Sequence, residues 1–184
     1  MFVFSAQGHI AFGAPFPSHN REVMLIEVEV KGLTLDPVTN SPIVILKDRA
    51  GERALPIWIN PAEASAISMQ IENVTPPRPM THDLLRNVIT DLNGRVDRVV
   101  VTDLRDNTFY ALVHLTVQGT SVAIDARPSD AIALALRTAA PILVEEAVIE
   151  RAKSTDLSSE RADQERLQQW LESIDPEELG KYKM

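Results

Sequence analysis

The chain has 184 residues, enough for one ordinary domain with a short appendage and too few for two full-sized domains. It contains no cysteine, which excludes a disulfide framework, a zinc-thiolate or iron–sulfur cluster and a cysteine nucleophile, and which fits the reducing cytoplasm. The net charge of -8 repels nucleic acid, so a nucleic-acid substrate would need a local basic site or a metal ion. No apolar run approaches the ~20 residues of a membrane-spanning helix. We therefore expect a cytoplasmic protein without a membrane partner.

The first regular pattern begins near residue 24. Residues 1–22 mix glycine, proline and isolated apolar residues without a period, which predicts a flexible N-terminal extension and not a secretory signal. Apolar and polar residues then alternate from Met24 to Lys31, as in a strand with one solvent-facing side. The runs Ile43–Lys47 and Ala54–Ile59, joined by a turn around Gly51, predict a hairpin.

Two helices are predicted next. The segment Asn60-Pro61-Ala62-Glu63 is typical of a helix start, with Asn60 as cap and Glu63 completing a capping box. This helix should reach about Asn73, because the three prolines of residues 76–79 cannot continue it. A second helix should begin at Thr81. Its apolar stripe consists of Leu84, Leu85, Val88, Ile89 and Leu92.

The following segment predicts a three-stranded antiparallel meander, because turn signals separate three strand-like runs. The runs are Val96–Asp103, Phe109–Gln118 and Thr120–Asp125. An alanine- and leucine-rich helix should follow from Pro128 to Thr138, and Ile142–Val144 should add a short strand. The sequence thus predicts the α+β class, with helices packed on a largely antiparallel or mixed sheet.

The composition turns polar after Arg151, and Ser154–Ser159 is typical of a linker. Beyond it, four apolar residues recur at helical spacing: Leu167, Trp170, Leu171 and Ile174. They predict a C-terminal amphipathic helix that must dock on some surface. The predicted organisation is therefore an extension over residues 1–22, a domain over residues 23–153, and a linker with a helix over residues 154–184.

Several catalytic signatures are absent from the sequence. It contains no G-x-x-x-x-G-K-[ST], no G-x-G-x-x-G, no G-x-S-x-G and no H-E-x-x-H. Nucleotide-binding loops, the nucleophile elbow of hydrolases and the zincin metal site are therefore disfavoured.

One polar cluster lies before and within the start of the second helix. Arg78 stands in the proline-rich approach, and His82 and Asp83 fall in the first helical turn. A helix N-terminus binds phosphate, and a histidine can transfer a proton near neutral pH. The alternative is structural, with Thr81 as cap and Asp83 complementing the helix dipole.

Two further clusters occupy strand ends. Asp103 and Asp106 end one strand, and Asp125, Arg127 and Asp130 lie where the last meander strand meets its helix. Carboxylates in such positions suit Mg²⁺ or Mn²⁺, and an arginine can bind phosphate. The alternative is again structural: a turn at the first cluster, and at the second an arginine–carboxylate pair beside a capping Ser129.

Several stretches resemble the bifunctional nuclease domain family, within a similarity that covers about residues 24–153. They are Leu55-Pro56-Ile57-Trp58-Ile59 followed by Glu63-Ala64, Arg78-Pro79 with Thr81-His82-Asp83-Leu84-Leu85, Asp103-Leu104, Thr108-Phe109-Tyr110-Ala111, and above all the run from Ile124 to Ala135. The resemblance implies an α+β domain that self-associates, with a dimer favoured. It also implies nuclease activity on DNA and RNA, which is ascribed to plant members.

The resulting hypothesis is a nuclease assisted by a divalent metal, Mg²⁺ or Mn²⁺. The candidate metal ligands are Asp103, Asp125 and Asp130; the candidate nucleic-acid-binding residues are Arg78 and Arg127; the candidate catalytic residues are His82, Asp83, Asp125, Arg127 and Asp130. The metal would activate water, the arginines would stabilise phosphoryl charge and His82 would move a proton. The alternative is a non-catalytic oligomeric binding or regulatory module, in which the same residues are caps and ion pairs.

Overall fold

The computed structural model describes residues 23–51 and 53–158 of the chain. Within these ranges it contains seven strands and four helices. In chain order they are β1 (Leu25–Leu35), β2 (Pro42–Asp48), β3 (Ala54–Trp58), α1 (Pro61–Ile71), α2 (Thr81–Asp91), β4 (Gly94–Arg105), β5 (Thr108–Val117), β6 (Thr120–Ala126), α3 (Pro128–Thr138), β7 (Ile142–Glu145) and α4 (Glu146–Ser158).

The seven strands form one mixed sheet in the order β3-β2-β1-β7-β4-β5-β6. Every neighbouring pair is antiparallel except β4 and β7, which run parallel. The chain reaches β7 through α3 after the meander, so the helix lies between strands that are not neighbours. This arrangement confirms the predicted α+β class and the mixed sheet.

Helix α3 is the centre of the core. Residues 131–135 of α3 are at most 2% exposed, and three of these five residues are alanine. Small side chains let α3 lie close to β4 and β5 below it and to α1 and α2 on either side. The core that results joins Ile132 of α3 to Ile67 of α1 and to Val99 and Val113 of the sheet.

The predicted hairpin is β2 and β3, and the predicted meander is β4, β5 and β6, with ends within about two residues of the expected ones.

The structure differs from the prediction after β7. Helix α4 begins at Glu146 without an intervening loop and continues to Ser158, through most of the predicted linker. Over residues 146–153, where the side chains of α4 are described, the fully buried apolar residues are the adjacent pair Val148 and Ile149, and an adjacent pair does not by itself give a helical period. The predicted N-terminal extension and C-terminal amphipathic helix lie outside the described residues.

Helix α2 presents most of its apolar stripe to solvent. Leu84 and Leu92 are 58% and 62% exposed, whereas His82 and Asp83 are buried on the inner side and Ile89 packs against the core. The helix forms where the sequence predicts it, but the side that carries His82 and Asp83 faces the protein. Across the described residues, no helix combines the length and the apolar character that crossing a membrane requires.

Candidate functional site

A cleft of about 240 Å³ opens beside the N-terminus of α3. The end of β3 supplies one wall with Trp58, and the β4–β5 turn and the start of β5 supply another with Asn107 and Phe109. Arg127 and Ser129 line the cleft at the start of α3. The cleft therefore combines two aromatic rings with a guanidinium group and small polar side chains.

Two carboxylates fix the orientation of Arg127. Its Nη1 lies 2.7 Å from Glu63 Oε1 on α1, and its Nε lies 2.8 Å from Asp130 Oδ2 one turn further along α3. The Arg127 side chain is nonetheless 60% exposed. A guanidinium has five N–H donors, so these two ion pairs leave donors free to bind a ligand in the cleft.

Asp130 links Arg127 to His82. The second oxygen of Asp130 lies 3.1 Å from His82 Nε2. Partial burial raises the pKa of Asp130, but hydrogen bonds from Arg127 and His82 outweigh it and hold this pKa below its ordinary value. The carboxylate is therefore ionised at neutral pH. His82 is buried and does not line the cleft, so it reaches Arg127 only through Asp130.

Asp83 belongs to a separate, buried ion pair. Its Oδ1 lies 2.7 Å from Nε of Arg137, and its Oδ2 accepts a hydrogen bond from the Met80 backbone N–H. Nη1 of Arg137 also donates to the backbone carbonyls of Ala66 and Ala133. Burial raises the pKa of Asp83, but the Met80 and Arg137 hydrogen bonds reverse this effect and lower it. The pair holds α2 against α1 and α3.

The three predicted metal ligands are not brought together. Asp125 is exposed on β6, and it alternates with Ile124, which pairs with the core residue Val113, so Asp125 points to the opposite side of the sheet. Asp103 is paired with Arg105 and Arg151, while Asp130 is engaged by Arg127 and His82. Among the described residues no three carboxylate or histidine side chains are placed to hold a metal ion. The donor set Asp103, Asp125 and Asp130 therefore does not fit one Mg²⁺ or Mn²⁺ ion.

Arg78 is exposed in the proline-rich segment before α2. It does not line the cleft. Of the predicted site residues, the structure therefore gathers Arg127, Asp130 and His82 into one chain of contacts, and places Arg78, Asp83, Asp103 and Asp125 elsewhere.

Glu63 is the site residue that sequence reasoning missed. The sequence predicts it in a capping box, whereas no side-chain hydrogen bond caps α1 and the Glu63 carboxylate binds Arg127. Its Oε2 is buried without a hydrogen-bond partner among the described residues. The one available signal was its place in the stretch that carries the family resemblance. The caps of α2 and α3 also differ from expectation: the N-cap residues are Met80 and Arg127 rather than Thr81 and Ser129.

The fold and the cleft define an α+β domain with an arginine-lined cleft at the start of α3. The family model for the bifunctional nuclease domain matches residues 44–156, and the chain belongs to this family.

Two groups of relatives differ in what is known of them. An uncharacterized protein of Mycobacterium tuberculosis strain H37Rv is 38% identical over 162 residues, which cover 83% of this chain and 97% of the relative. Bifunctional nuclease 1 of Oryza sativa subsp. japonica is 24% identical over 112 residues, which cover 59% of this chain and 34% of the rice protein. The similarity to a protein named as a nuclease is thus distant and confined to one part of it.

Proposed function

We propose that the protein is a cytoplasmic nuclease that hydrolyses phosphodiester bonds of DNA or RNA, with the cleft at the start of α3 as its substrate site. The observation that carries the proposal is the exposed Arg127 guanidinium, oriented by two carboxylates inside a cleft with aromatic walls. Membership of the bifunctional nuclease domain family supports the reaction class.

The cleft offers separate groups for the two parts of a nucleotide. Arg127 would bind the phosphate, since a guanidinium makes charge-assisted hydrogen bonds to phosphate oxygens and the N-terminus of α3 lies at the cleft. Trp58 and Phe109 would stack against bases, an interaction worth about 1–3 kcal/mol per base. Trp58 is held for this role by a 2.8 Å hydrogen bond from its Nε1 to Asp36.

Glu63 and Asp130 act in this proposal as positioning residues for Arg127. His82 acts one step further away, because it contacts Asp130 and not the cleft. Fixing a guanidinium before the substrate binds removes the entropic cost of ordering it in the transition state. The dependence of cleavage on Mg²⁺ or Mn²⁺, and roles for Asp83, Asp125 and Arg78 in the reaction, stay predictions.

The test is cleavage of single-stranded DNA and RNA by protein freed of contaminating nuclease, with Mg²⁺, with Mn²⁺ or with a chelator. Arg127→Ala should lower the rate by about 10²–10³-fold, the usual cost of removing one preorganised transition-state donor. Arg49→Ala is the matched control, since Arg49 is an exposed arginine paired with Glu27 away from the cleft.

Circular dichroism and thermal melting should show that both variants are folded. Equal rates for Arg127→Ala and Arg49→Ala would overturn the assignment of the cleft. Asp125→Ala is assayed in parallel, and an unchanged rate would remove Asp125 from the reaction.

A second candidate is the non-catalytic oligomeric module, with a homodimer as the expected form. The observation that favours it is that Arg127 is ion-paired with Glu63 and Asp130, so that the arginine ties the start of α3 to α1. In this case Arg127→Ala would lower the melting temperature or dissociate the oligomer, as measured by light scattering, and purified wild type would not cleave either substrate.

A further inference from the structure

The outer face of α2 is an apolar surface without a cover among the described residues. Its side chains are Leu84, Leu85, Val88 and Leu92, which are 58%, 43%, 45% and 62% exposed. Residues spaced in this way share one side of a helix. We call these four side chains the α2 stripe.

Contacts on the opposite side of α2 fix the orientation of the α2 stripe. Asp83 is tied to the buried Arg137, and His82 is tied to Asp130, so two polar contacts hold the other side of α2 against α3. Rotating the α2 stripe into the core would break both contacts and leave Arg137 as an unpaired buried charge, which is strongly unfavourable. An apolar stripe held toward water in this way indicates a binding surface.

We propose that the C-terminal segment containing Leu167, Trp170, Leu171 and Ile174 docks on the α2 stripe of its own chain. The sequence predicts an amphipathic helix there, with an apolar side that also needs a cover. Two such helices bury their stripes against each other by interdigitating side chains, and Trp170 supplies the large apolar surface that anchors this kind of contact. The inference is independent of the proposed nuclease activity.

The length of the connection is comparable with the size of the domain. Helix α4 ends at Ser158, and the roughly eight residues before Leu167 span up to ~28 Å when extended. A domain of this size has a radius of gyration of about 14 Å, so the extended connection spans about twice this radius. Tethering also gives the segment a millimolar effective concentration at the stripe. A second copy lacks this advantage, and the net charge of -8 on each chain opposes its approach.

The test uses the emission of Trp170 in the full-length protein. The chain has two tryptophans, so Trp58→Phe leaves Trp170 as the only one. We expect its emission to be blue-shifted and protected from iodide quenching. Adding Leu84→Ser and Val88→Ser should shift the emission to that of a solvent-exposed indole. Val38→Ser is the matched control, because Val38 is a 79% exposed apolar residue in the turn between β1 and β2.

Far-UV circular dichroism should show that each variant keeps its fold, and light scattering should show that its molecular mass is unchanged. Fluorescence at several protein concentrations should show that the change in emission is independent of concentration. Solvent-like emission of Trp170 in the Trp58→Phe protein would overturn the proposal. So would emission that Leu84→Ser with Val88→Ser leaves unchanged. A dimer that these two substitutions dissociate would show that a second copy covers the stripe, and would overturn it too.

Discussion

Arg127, the N-cap residue of α3, and Arg137, near its end, both pair with carboxylates but differ in their exposure to solvent. Arg137 is 1% exposed in its side chain, and its donors are used by Asp83 and by two backbone carbonyls. Arg127 is 60% exposed and faces the cleft. Because a buried charge must be fully paired and an exposed one need not be, Arg137 serves the fold and Arg127 can serve a ligand.

Replacing Arg137 by alanine should lower the free energy of unfolding by about 3–5 kcal/mol, because Asp83 would remain as a buried carboxylate without its cation. Urea unfolding followed by circular dichroism measures the loss. Arg49→Ala should cost at most ~1 kcal/mol, since an exposed pair is screened by water. Similar losses in the two variants would show that the Arg137 pair is not a structural anchor.

Among the elements, α3 has a well-defined start and an unfavourable end. Pro128 suits its first turn, and the small residues of its middle allow close packing on the sheet. Its C-cap residue Ala139 has φ 53° and ψ 30°, the left-handed conformation that glycine adopts without steric cost. The Ala139 side chain is exposed, so it contributes no packing in return.

Ala139→Gly should therefore raise the free energy of unfolding by up to about 1 kcal/mol. Ala133→Gly is the opposed control in the same helix. Ala133 is fully buried in the middle of α3, and glycine there should lower stability by about 1 kcal/mol. Chemical denaturation of both variants measures the change in the free energy of unfolding, which should be positive for Ala139→Gly and negative for Ala133→Gly. Destabilisation by Ala139→Gly would show that the end of α3 is held by contacts other than its backbone.

At the scale of the whole molecule, several partly or fully buried aspartates are stabilised in their charged form by hydrogen bonds and by arginines. The pKa of Asp83 and that of Asp103 are raised by burial, and in both cases hydrogen bonds and nearby arginines reverse this effect and lower the pKa. Asp130 follows the same pattern. A carboxyl with a lower pKa in the folded state binds fewer protons there than in the unfolded chain.

The free energy of unfolding should consequently be at its full value above about pH 5, and should fall as the pH drops below ~4, the unfolded value of an aspartate, toward the lower folded pKa values. Asp83→Asn should be less stable than wild type at pH 7, and its stability should fall less steeply between pH 5 and pH 2. Urea unfolding at a series of pH values in this range gives the slope of stability against pH for wild type and for Asp83→Asn.

Asp91→Asn is the control for this experiment. Asp91 is exposed near the end of α2 and makes no ion pair with the described residues, so its slope should follow that of wild type. An acid slope in Asp83→Asn as steep as in wild type would show that Asp83 does not contribute to the acid sensitivity.

The local patterns of the sequence were sufficient to place most of the secondary structure. Alternating apolar residues predicted β1 and the meander, three prolines separated α1 from α2, and the alanine-rich period predicted α3. These signals act over a few residues, because side-chain direction repeats every two residues in a strand and every 3.6 in a helix. The family resemblance likewise rests on contiguous stretches, and the match over residues 44–156 confirms it.

Only the tertiary structure decided which side of α2 meets the protein, which carboxylate holds Arg127 and which predicted site residues meet. The apolar period of α2 predicts a helix, but the buried pair of Asp83 with Arg137 sets its rotation. Glu63 and Arg127 lie far apart in the chain, and no local pattern relates them. Strand alternation placed Asp125 away from Asp130. Contacts between residues distant in the chain depend on how the elements pack. A local sequence pattern carries no information about the free energies of those contacts.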